Sequence, residues 1–239
     1  AKGKGGRGCE KWVYDGSGYR GPDGRLLSPP DLVTHISNLA AGRGRYLIQE
    51  CLENHAELRD LGGGLTSLRV TSCKNERGGF EVTNATLKLA LKAGSSVDNF
   101  HQGGAVARVD ITSGEAGPAS DSWIARPCIW HKIHPLTQAP IEGRKLPQWQ
   151  ETVDMVERTH ALFPDRIMLG FDVAITDRGP VIIEGNVQSG CDMIQRTHDV
   201  PVGRQRLGEL LAHHADRAEN ARIPRHMRWF GPKQYLRHR

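Results

Sequence analysis

Two carboxylates and an amide are spaced so that a β-hairpin would bring them together. Asp172 lies in one β-branched run, Glu184 and Asn186 end the next, and Asp177-Arg178-Gly179 separates the runs. A three-residue loop, with glycine at the position of positive φ, places Asp172 opposite Glu184. Asn186 then shares the face of Glu184, because side chains alternate along a strand. These hard oxygen donors are the ligands that Mg²⁺ takes when phosphates complete its shell.

The residues before Glu184 favour this metal site over its alternative, a solvated ribbon whose carboxylates are close by coincidence. Val181-Ile182-Ile183 is an apolar run typical of a buried strand, and it leads directly into Glu184. A carboxylate at that position needs a partner, because burying an unpaired charge is costly.

The start of the chain is basic and rich in glycine. The segment Gly3-Lys4-Gly5-Gly6-Arg7-Gly8 precedes an expected strand over residues 10–14. Alternating glycines let backbone N–H groups converge on an anion, and the basic side chains add positive charge. The segment is neither a P-loop nor a dinucleotide fingerprint. It is a candidate phosphate-covering hairpin tip, with a flexible tail or an RNA-contacting segment as the alternatives.

The rest of the pattern mixes strands and helices without βαβ regularity, which predicts an α+β fold. Two strands are expected to carry site residues: residues 45–52, which contain Gln49-Glu50, and residues 65–72, which alternate around Arg69. Ser28 and Asp31 are candidate caps of a first helix. The remaining expected elements are helices over 30–39, 149–163 and 206–218, strands over 80–91 and 104–111, and a loop over 113–122, where Gly, Pro and Ser cluster.

This order of parts resembles an ATP-grasp domain: a glycine-rich loop, a strand ending in Gln-Glu, a strand with an isolated arginine, then Asp172 and Glu184-x-Asn186. Within that superfamily the chain most resembles the sugar-transfer-associated branch, which is related to α-L-glutamate ligases. The resemblance covers roughly residues 1–215. The closer match rests on the segments 97–104, 134–143, 146–149 and 170–186.

The resemblance implies two α+β lobes that sandwich a nucleotide. The expected division is a partial nucleotide-covering lobe over 1–50, a C-terminal lobe with the metal hairpin over 51–215, and a basic, aromatic tail over 216–239. The family usually has a phosphate-binding Lys-Pro pair just before the glycine-rich loop, and this chain begins at Ala1 without it. The chain is therefore interpreted as a fragment whose first lobe is incomplete.

The resemblance also implies a role for each candidate residue. The loop from Gly3 to Gly8 would cover the β- and γ-phosphates of ATP. Base and ribose would be contacted by residues at and after the Gln-Glu pair: Gln49, Glu50, Cys51, Leu52, Glu53 and His55. Arg69 would lie near the transferring phosphoryl group, with Asn99 and His101 as further site-facing residues. Magnesium would be held by the hairpin residues: Asp172, Glu184 and Asn186.

The implied activity is an ATP- and Mg²⁺-dependent ligation of a carboxylate to an amine through an acyl phosphate. Either substrate would be a small molecule or a group attached to a glycan. Two alternatives remain open. One is an ATP-grasp phosphotransferase, and the other is a non-catalytic module that binds a nucleotide or a nucleic acid.

Composition predicts a cytoplasmic protein without a membrane span. Mean hydropathy is −0.49, and no run approaches the roughly 18 apolar residues that a span needs. The five scattered cysteines suit a reducing compartment. The net charge of +5 is concentrated in residues 222–239, where basic and aromatic side chains interleave. That composition occurs in single-strand-binding surfaces, but a tail without that role is favoured, and nucleic acid is not the expected partner.

Overall fold

The computed structural model describes residues 10–43, 46–62, 64–91, 100, 103–121 and 129–220. The chain divides into two compact units, Ala1–Leu52 and Glu53–Arg239. Three sets of predictions concern residues outside this description: the loop from Gly3 to Gly8 (Lys4, Gly5, Gly6 and Arg7 included), the pair Asn99 and His101, and residues 221–239.

The first unit contains a small antiparallel sheet and a helix. The sheet has the order β1 (Val13–Tyr14), β2 (Tyr19–Arg20) and β3 (Leu26–Leu27), and helix α1 (Pro29–Arg43) follows. The predicted first helix is confirmed and is longer than expected.

The cap of α1 is supplied by Ser28. Its Oγ accepts a hydrogen bond from the backbone N–H of Asp31 at 3.3 Å and donates to the Asp31 carboxylate at 2.6 Å. We expect Ser28→Ala to destabilise the first turn by about 1 kcal/mol, because one N–H at the helix start loses its acceptor. Faster hydrogen exchange of the amides in that turn measures the effect. Ser37→Ala is the control, since the Ser37 hydroxyl donates within the helix to the Val33 carbonyl, and equal changes in both variants would contradict the capping role.

The strand predicted over residues 45–52 is wrong for the residues that are described. Residues 46–52 form neither helix nor strand, and Leu47 and Ile48 are each 74% exposed. An apolar run forms a strand only where a neighbouring strand takes up its backbone hydrogen bonds. Among the described residues, this run belongs to neither sheet.

The second unit is built on a seven-stranded antiparallel sheet with the order β10-β9-β4-β5-β6-β7-β8. Its strands are β4 (Ser67–Lys74), β5 (Phe80–Leu89), β6 (Ala105–Val109), β7 (Ala116–Asp121), β8 (Trp130–His131), β9 (Met168–Thr176) and β10 (Gly179–Asn186). Its helices are α2 (Trp149–Ala161), α3 (Asp192–His198), α4 (Arg206–Asn220) and the 3₁₀ turns Ala56–Leu61 and Val202–Arg204. The predicted α+β class is confirmed.

The two faces of this sheet differ in polarity. One face packs into the main hydrophobic core with α2, through residues such as Val70, Phe171 and Val156. The opposite face, called the polar face below, is partly covered by an apolar cluster that includes Ile194 of α3 and Leu207 of α4. Among the described residues, no helix is long and apolar enough to cross a bilayer.

The loop between β9 and β10 is shorter than predicted. Thr176 pairs with Gly179, so the loop consists of Asp177 and Arg178 instead of three residues. Gly179 still has the expected positive φ, at 118°. The sequence therefore predicted the hairpin and the special backbone position correctly and the loop length incorrectly.

A β-bulge restores the predicted pairing of the two carboxylates. A regular hairpin with a two-residue loop would place Ile183 opposite Asp172. The register instead shifts between Ile182 and Glu184, so Ile183 is an extra residue and Glu184 faces Asp172. The predicted pairing is confirmed, and the bulge is the physical reason for it.

The loop predicted over residues 113–122 is also wrong in part, because Ala116–Asp121 is strand β7. Its register against β6 shifts between Ala107 and Val109, which leaves Gly117 and Pro118 opposite Arg108. A bulge tolerates proline, because the missing N–H is not needed in the ladder there. The composition that predicted a loop marks a bulged strand.

Candidate functional site

A row of polar side chains crosses the sheet of the second unit. Glu184, Asp172, Arg69, Thr86 and Arg108 are paired in register on β10, β9, β4, β5 and β6. Directly paired residues project from the same face, so the row lies on the polar face. Neighbouring strands are about 4.8 Å apart, which makes the row about 19 Å long.

Asp172 is held by two cations. Arg69 Nε donates to Asp172 Oδ1 at 2.5 Å, and Lys88 Nζ donates to Asp172 Oδ2 at 3.0 Å. The three side chains are only 10–14% exposed. Lys88 lies two residues beyond Thr86 in β5 and therefore projects from the same face. The centre of the row is a largely buried cluster of two positive charges and one negative charge.

This cluster determines the ionisation of Asp172. Burial alone would raise the pKa of its carboxyl, but the hydrogen bond from Arg69 and the positive charge of Lys88 outweigh burial, so the pKa lies below its ordinary value. Asp172 is therefore a carboxylate at neutral pH. The cluster carries a net positive charge, which suits a site for an anionic phosphate.

Glu184 and Asn186 lie beside this cluster at the edge of the sheet. Asn186 Nδ2 donates a hydrogen bond to Glu184 Oε1 at 3.1 Å. The amide oxygen of Asn186 takes no part in this bond. Glu184 is exposed and faces Asp172 across the ladder.

The donor set fits a hard cation. It offers the carboxylate of Glu184, the amide oxygen of Asn186, and the remaining acceptor capacity of Asp172, since each carboxylate oxygen can accept more than one bond. No group of three or more His, Cys, Asp or Glu that could hold a metal occurs in the described part of the chain. The three hairpin residues include only two carboxylates, so Mg²⁺ here would need phosphate or water oxygens to complete its shell.

Gly170 allows Ser189 to pack closely against the strand beside Arg69. A Cβ at Gly170 would lie 2.6 Å from Ser189 Cβ, clash with Ser189 Oγ, and approach Arg69 Cδ at 3.2 Å. Ser189 is buried, and its Oγ is 3.5 Å from Arg69 Nη1. Glycine is required here for close packing and not for its backbone freedom.

His55 lies at the tip of the β9–β10 hairpin, at the end away from Asn186. Its backbone N–H donates to the Ile175 carbonyl at 2.8 Å, and its ring Nδ1 accepts from the backbone N–H of Glu57 at 3.2 Å. Asp177 accepts from the N–H of Ala56 and forms an ion pair with Arg59. In this structure the His55 ring caps a 3₁₀ turn and helps to anchor the hairpin.

The structure thus brings together four of the predicted site residues: Arg69, Asp172, Glu184 and Asn186. Glu53 and His55 also belong to the second unit, whereas Gln49, Glu50, Cys51 and Leu52 belong to the first. The nucleotide-contacting roles of all six stay predictions.

Sequence reasoning missed Lys88 and Ser189. The signal for Lys88 was present, since Thr86 and Lys88 alternate with Leu87 and Leu89 in a strand pattern. A lysine on the polar face of a strand beside Arg69 is a candidate site residue. Ser189 had no comparable signal, because its place depends on the conformation of the loop after β10.

Comparison with known proteins identifies the family of the chain. The family model described as sugar-transfer associated ATP-grasp matches residues 1–204. No curated protein matches the chain. Because the match spans most of the chain, the chain belongs to the sugar-transfer associated ATP-grasp family.

Proposed function

We propose that this chain is the ATP-binding part of an ATP- and Mg²⁺-dependent ligase that joins a carboxylate to an amine, with at least one substrate linked to a sugar or glycan. ATP-grasp proteins are in general ATP-dependent ligases, and the family description supplies the sugar context. The observation that carries the proposal is the cluster of Arg69, Asp172 and Lys88 beside the oxygen donors of Glu184 and Asn186. In this proposal residues 1–50 act as a partial nucleotide-covering lobe and residues 51–215 as the catalytic lobe.

The proposed reaction requires that the carboxylate be activated before the amine attacks it. A free carboxylate is a poor acylating agent, because its leaving group would be oxide. Transfer of the γ-phosphoryl group of ATP to a carboxylate oxygen releases ADP and forms an acyl phosphate. The amine then attacks the acyl carbon, inorganic phosphate leaves, and the amine loses a proton, so that an amide is formed.

The chain's own contribution is charge neutralisation and alignment. Arg69 and Lys88 would stabilise negative charge that develops on the transferring phosphoryl group. Asp172 holds both cations in place, since each of its oxygens accepts from one of them. Mg²⁺ held by Asp172, Glu184 and Asn186 would neutralise the nucleotide phosphates when bound.

Thermal unfolding with and without Mg·ATP tests the nucleotide site. We expect Mg·ATP to raise Tm, since a ligand at 100 times its Kd stabilises the folded state by about 2.7 kcal/mol. The increase should require Mg²⁺ and disappear in Glu184→Gln. Glu151→Gln is the matched control, because Glu151 is an exposed carboxylate on α2, which packs against the apolar face. An unchanged Tm in the wild-type chain, or an equal increase in Glu184→Gln, would overturn the proposed site.

Product analysis separates the ligase from its alternatives. ADP release that requires both a carboxylic acid and an amine, with formation of an amide, is the expected result. A stable phosphorylated product that forms without any amine would show a phosphotransferase instead. Nucleotide binding without turnover of any acid would indicate a non-catalytic module.

A further inference from the structure

An apolar turn projects into solvent where helix α2 ends. All residues of this segment, 161–166, are exposed, and it is called the α2 tip below. Leu162 is 76% exposed, the largest value for a large apolar side chain in the described part of the chain, and Phe163 is 51% exposed. Single exposed apolar residues are normal on a protein surface. Two adjacent ones that project from a turn, followed by Pro164, instead indicate a surface that meets a partner.

The exposure of these side chains does not come from a loose backbone. The N–H of Leu162 donates to the Thr159 carbonyl at 3.1 Å, and the N–H of Phe163 donates to the His160 carbonyl at 2.8 Å. The N–H of Arg166 closes the turn by donating to the Phe163 carbonyl at 3.0 Å. The chain could not turn the apolar side chains inward without breaking these bonds.

A buried histidine ties the α2 tip to the sheet. His160 is 0% exposed, its Nδ1 lies 2.9 Å from Ser72 Oγ on β4, and its Nε2 lies 3.1 Å from the Arg166 carbonyl. A carbonyl can only accept, so Nε2 donates to it and Nδ1 accepts from the Ser72 hydroxyl. The tip is therefore held in one conformation before any partner arrives, which lowers the entropic cost of binding.

Three cations surround the α2 tip. Lys74 Nζ donates to the Pro164 carbonyl at 3.2 Å, and Arg166 is part of the tip itself. Arg158 precedes Leu162 by four residues and lies on the same side of the helix. Both arginines are exposed, and neither forms an ion pair within the described part of the chain.

The acidic side chains near the turn between β4 and β5 lie on the other face of the sheet. Lys74 and Cys73 are neighbours in β4 and project from opposite faces. Cys73 belongs to the apolar cluster on the polar face, and Glu81 pairs with it. Glu76 and Glu81 form ion pairs with Arg206 of α4, which covers that face. These carboxylates therefore do not neutralise the cations around the tip.

Two carboxylates are closer to the α2 tip. Asp165 is part of it, and Glu157 on α2 is directed toward the sheet, where it accepts from the backbone N–H of Val82 at 3.0 Å. The three cations exceed these two carboxylates by one charge. The chain as a whole carries a net charge of +5, so its overall charge and the local charge of the tip both favour an anionic partner.

The size of the α2 tip favours a lipid surface over a protein as this partner. A stable protein interface buries about 800 Å² on each side, and two side chains on a narrow turn present much less. A membrane surface needs only apolar side chains that reach below the headgroups and cations that attract anionic lipids. Leu162 and Phe163 meet the first requirement, and the surrounding cations meet the second.

We propose that the α2 tip binds the surface of a membrane that contains anionic lipids. Leu162 and Phe163 insert at the boundary between headgroups and acyl chains, where their removal from water supplies binding free energy. Arg158, Arg166 and Lys74 contact the lipid phosphates and set the preference for anionic lipids. The proposal goes beyond the ATP-dependent function and does not rest on it.

Co-sedimentation with vesicles tests the apolar part of this contact. The whole chain, without nucleotide, should sediment with vesicles of equal parts phosphatidylglycerol and phosphatidylcholine, and less with vesicles of phosphatidylcholine alone. Phe163→Ser should weaken binding to the anionic vesicles by about tenfold, because an aromatic ring no longer leaves water. Leu136→Ser is the matched control, since Leu136 is 50% exposed and follows β8 at a distance from α2 in the sequence. Tm of both variants shows that they are folded.

The same assay tests the charged part. Arg166→Gln should weaken binding to the anionic vesicles by about fivefold, the effect of one cation near an anionic surface. The substitution keeps the backbone carbonyl that accepts from His160. Lys145→Gln removes an exposed cation that precedes the other end of α2 and should leave binding unchanged.

Three outcomes would overturn the proposal. One is that the wild-type chain does not sediment with the anionic vesicles. Another is that Phe163→Ser binds them as well as the wild-type chain, which would assign the binding to basic residues elsewhere, such as those over 222–239, and leave the tip to a protein partner. The third is an equal loss in Leu136→Ser. Since nucleotide is absent, a failure here leaves the ligase proposal standing, and a failed Mg·ATP test leaves this one standing.

Discussion

Replacing Asp172 by Asn is expected to lower the free energy of unfolding by about 3–5 kcal/mol, the cost of removing one partner from a buried ion pair. The variant would leave Arg69 and Lys88, whose side chains are 14% and 10% exposed, without their shared anion. Two like charges would then face each other in a poorly hydrated site. Urea-induced unfolding measures the loss, and the Mg·ATP-dependent increase in Tm should disappear with it.

Asp177→Asn is the matched control, because it changes a carboxylate in the same hairpin that is 50% exposed and pairs with Arg59. Exposed pairs contribute about 0–1 kcal/mol. If Asp172→Asn cost no more than Asp177→Asn, Asp172 would behave as a surface residue, and the buried cluster could not be the centre of the site.

The difference in stability between the wild-type chain and Asp172→Asn should depend on pH, with a definite sign. The pKa of Asp172 is lower in the folded chain than its ordinary value. Its stabilising contribution is therefore complete above that ordinary value and is lost as the pH falls through the lower folded pKa. The difference in stability between the wild-type chain and Asp172→Asn should shrink as the solution is acidified. A difference that stays constant down to acidic pH would contradict the ion-paired state of the carboxylate.

Gly170→Ala is expected to cost about 1–3 kcal/mol and to weaken Mg·ATP binding, because the added methyl group overfills a packed site. The methyl carbon would overlap Ser189 and press on Arg69. Ser189 must move, and Arg69 moves with it, away from the geometry that holds Asp172. Urea unfolding and the Tm increase with Mg·ATP report the two effects.

Gly185→Ala provides the control, since its Cβ would meet only the Phe171 ring, at an ordinary 3.6 Å. Gly185 pairs directly with Phe171 across the same hairpin. Ser189→Gly should restore much of the stability of Gly170→Ala, because it removes the atoms that clash. A tolerated Gly170→Ala, or no rescue by Ser189→Gly, would show that Ser189 does not constrain this position.

Much of the site could be predicted from local pattern. The alternation around Arg69 predicted that it lies on a strand, and the two runs around the turn placed Asp172, Glu184 and Asn186 on one face of a hairpin. The order of these parts was enough to suggest the ATP-grasp family, to which the chain belongs. Such features depend on the two-residue period of a strand and on glycine at a turn, which are local properties of the chain.

Other features depend on which strands become neighbours, and no local pattern predicts that. The run over residues 45–52 has the composition of a strand but lies in neither sheet where it is described. Gly117 and Pro118 have the composition of a loop, yet they lie in a bulged strand. Lys88 on β5 reaches Asp172 on β9 across β4, and this contact depends on the order of the three strands in the sheet.

The sequence by itself therefore determined the fold class, the hairpin and three members of the row of polar side chains, Arg69, Asp172 and Glu184. Only the tertiary structure decided the extra residue at Ile183, the pairing of Asp172 with both Arg69 and Lys88, and the exposure of the α2 tip. The physical reason is the range of the interactions involved. Strand period and turn chemistry act over a few residues, whereas register, bulges and ion pairs between strands are set by contacts between segments far apart in the chain.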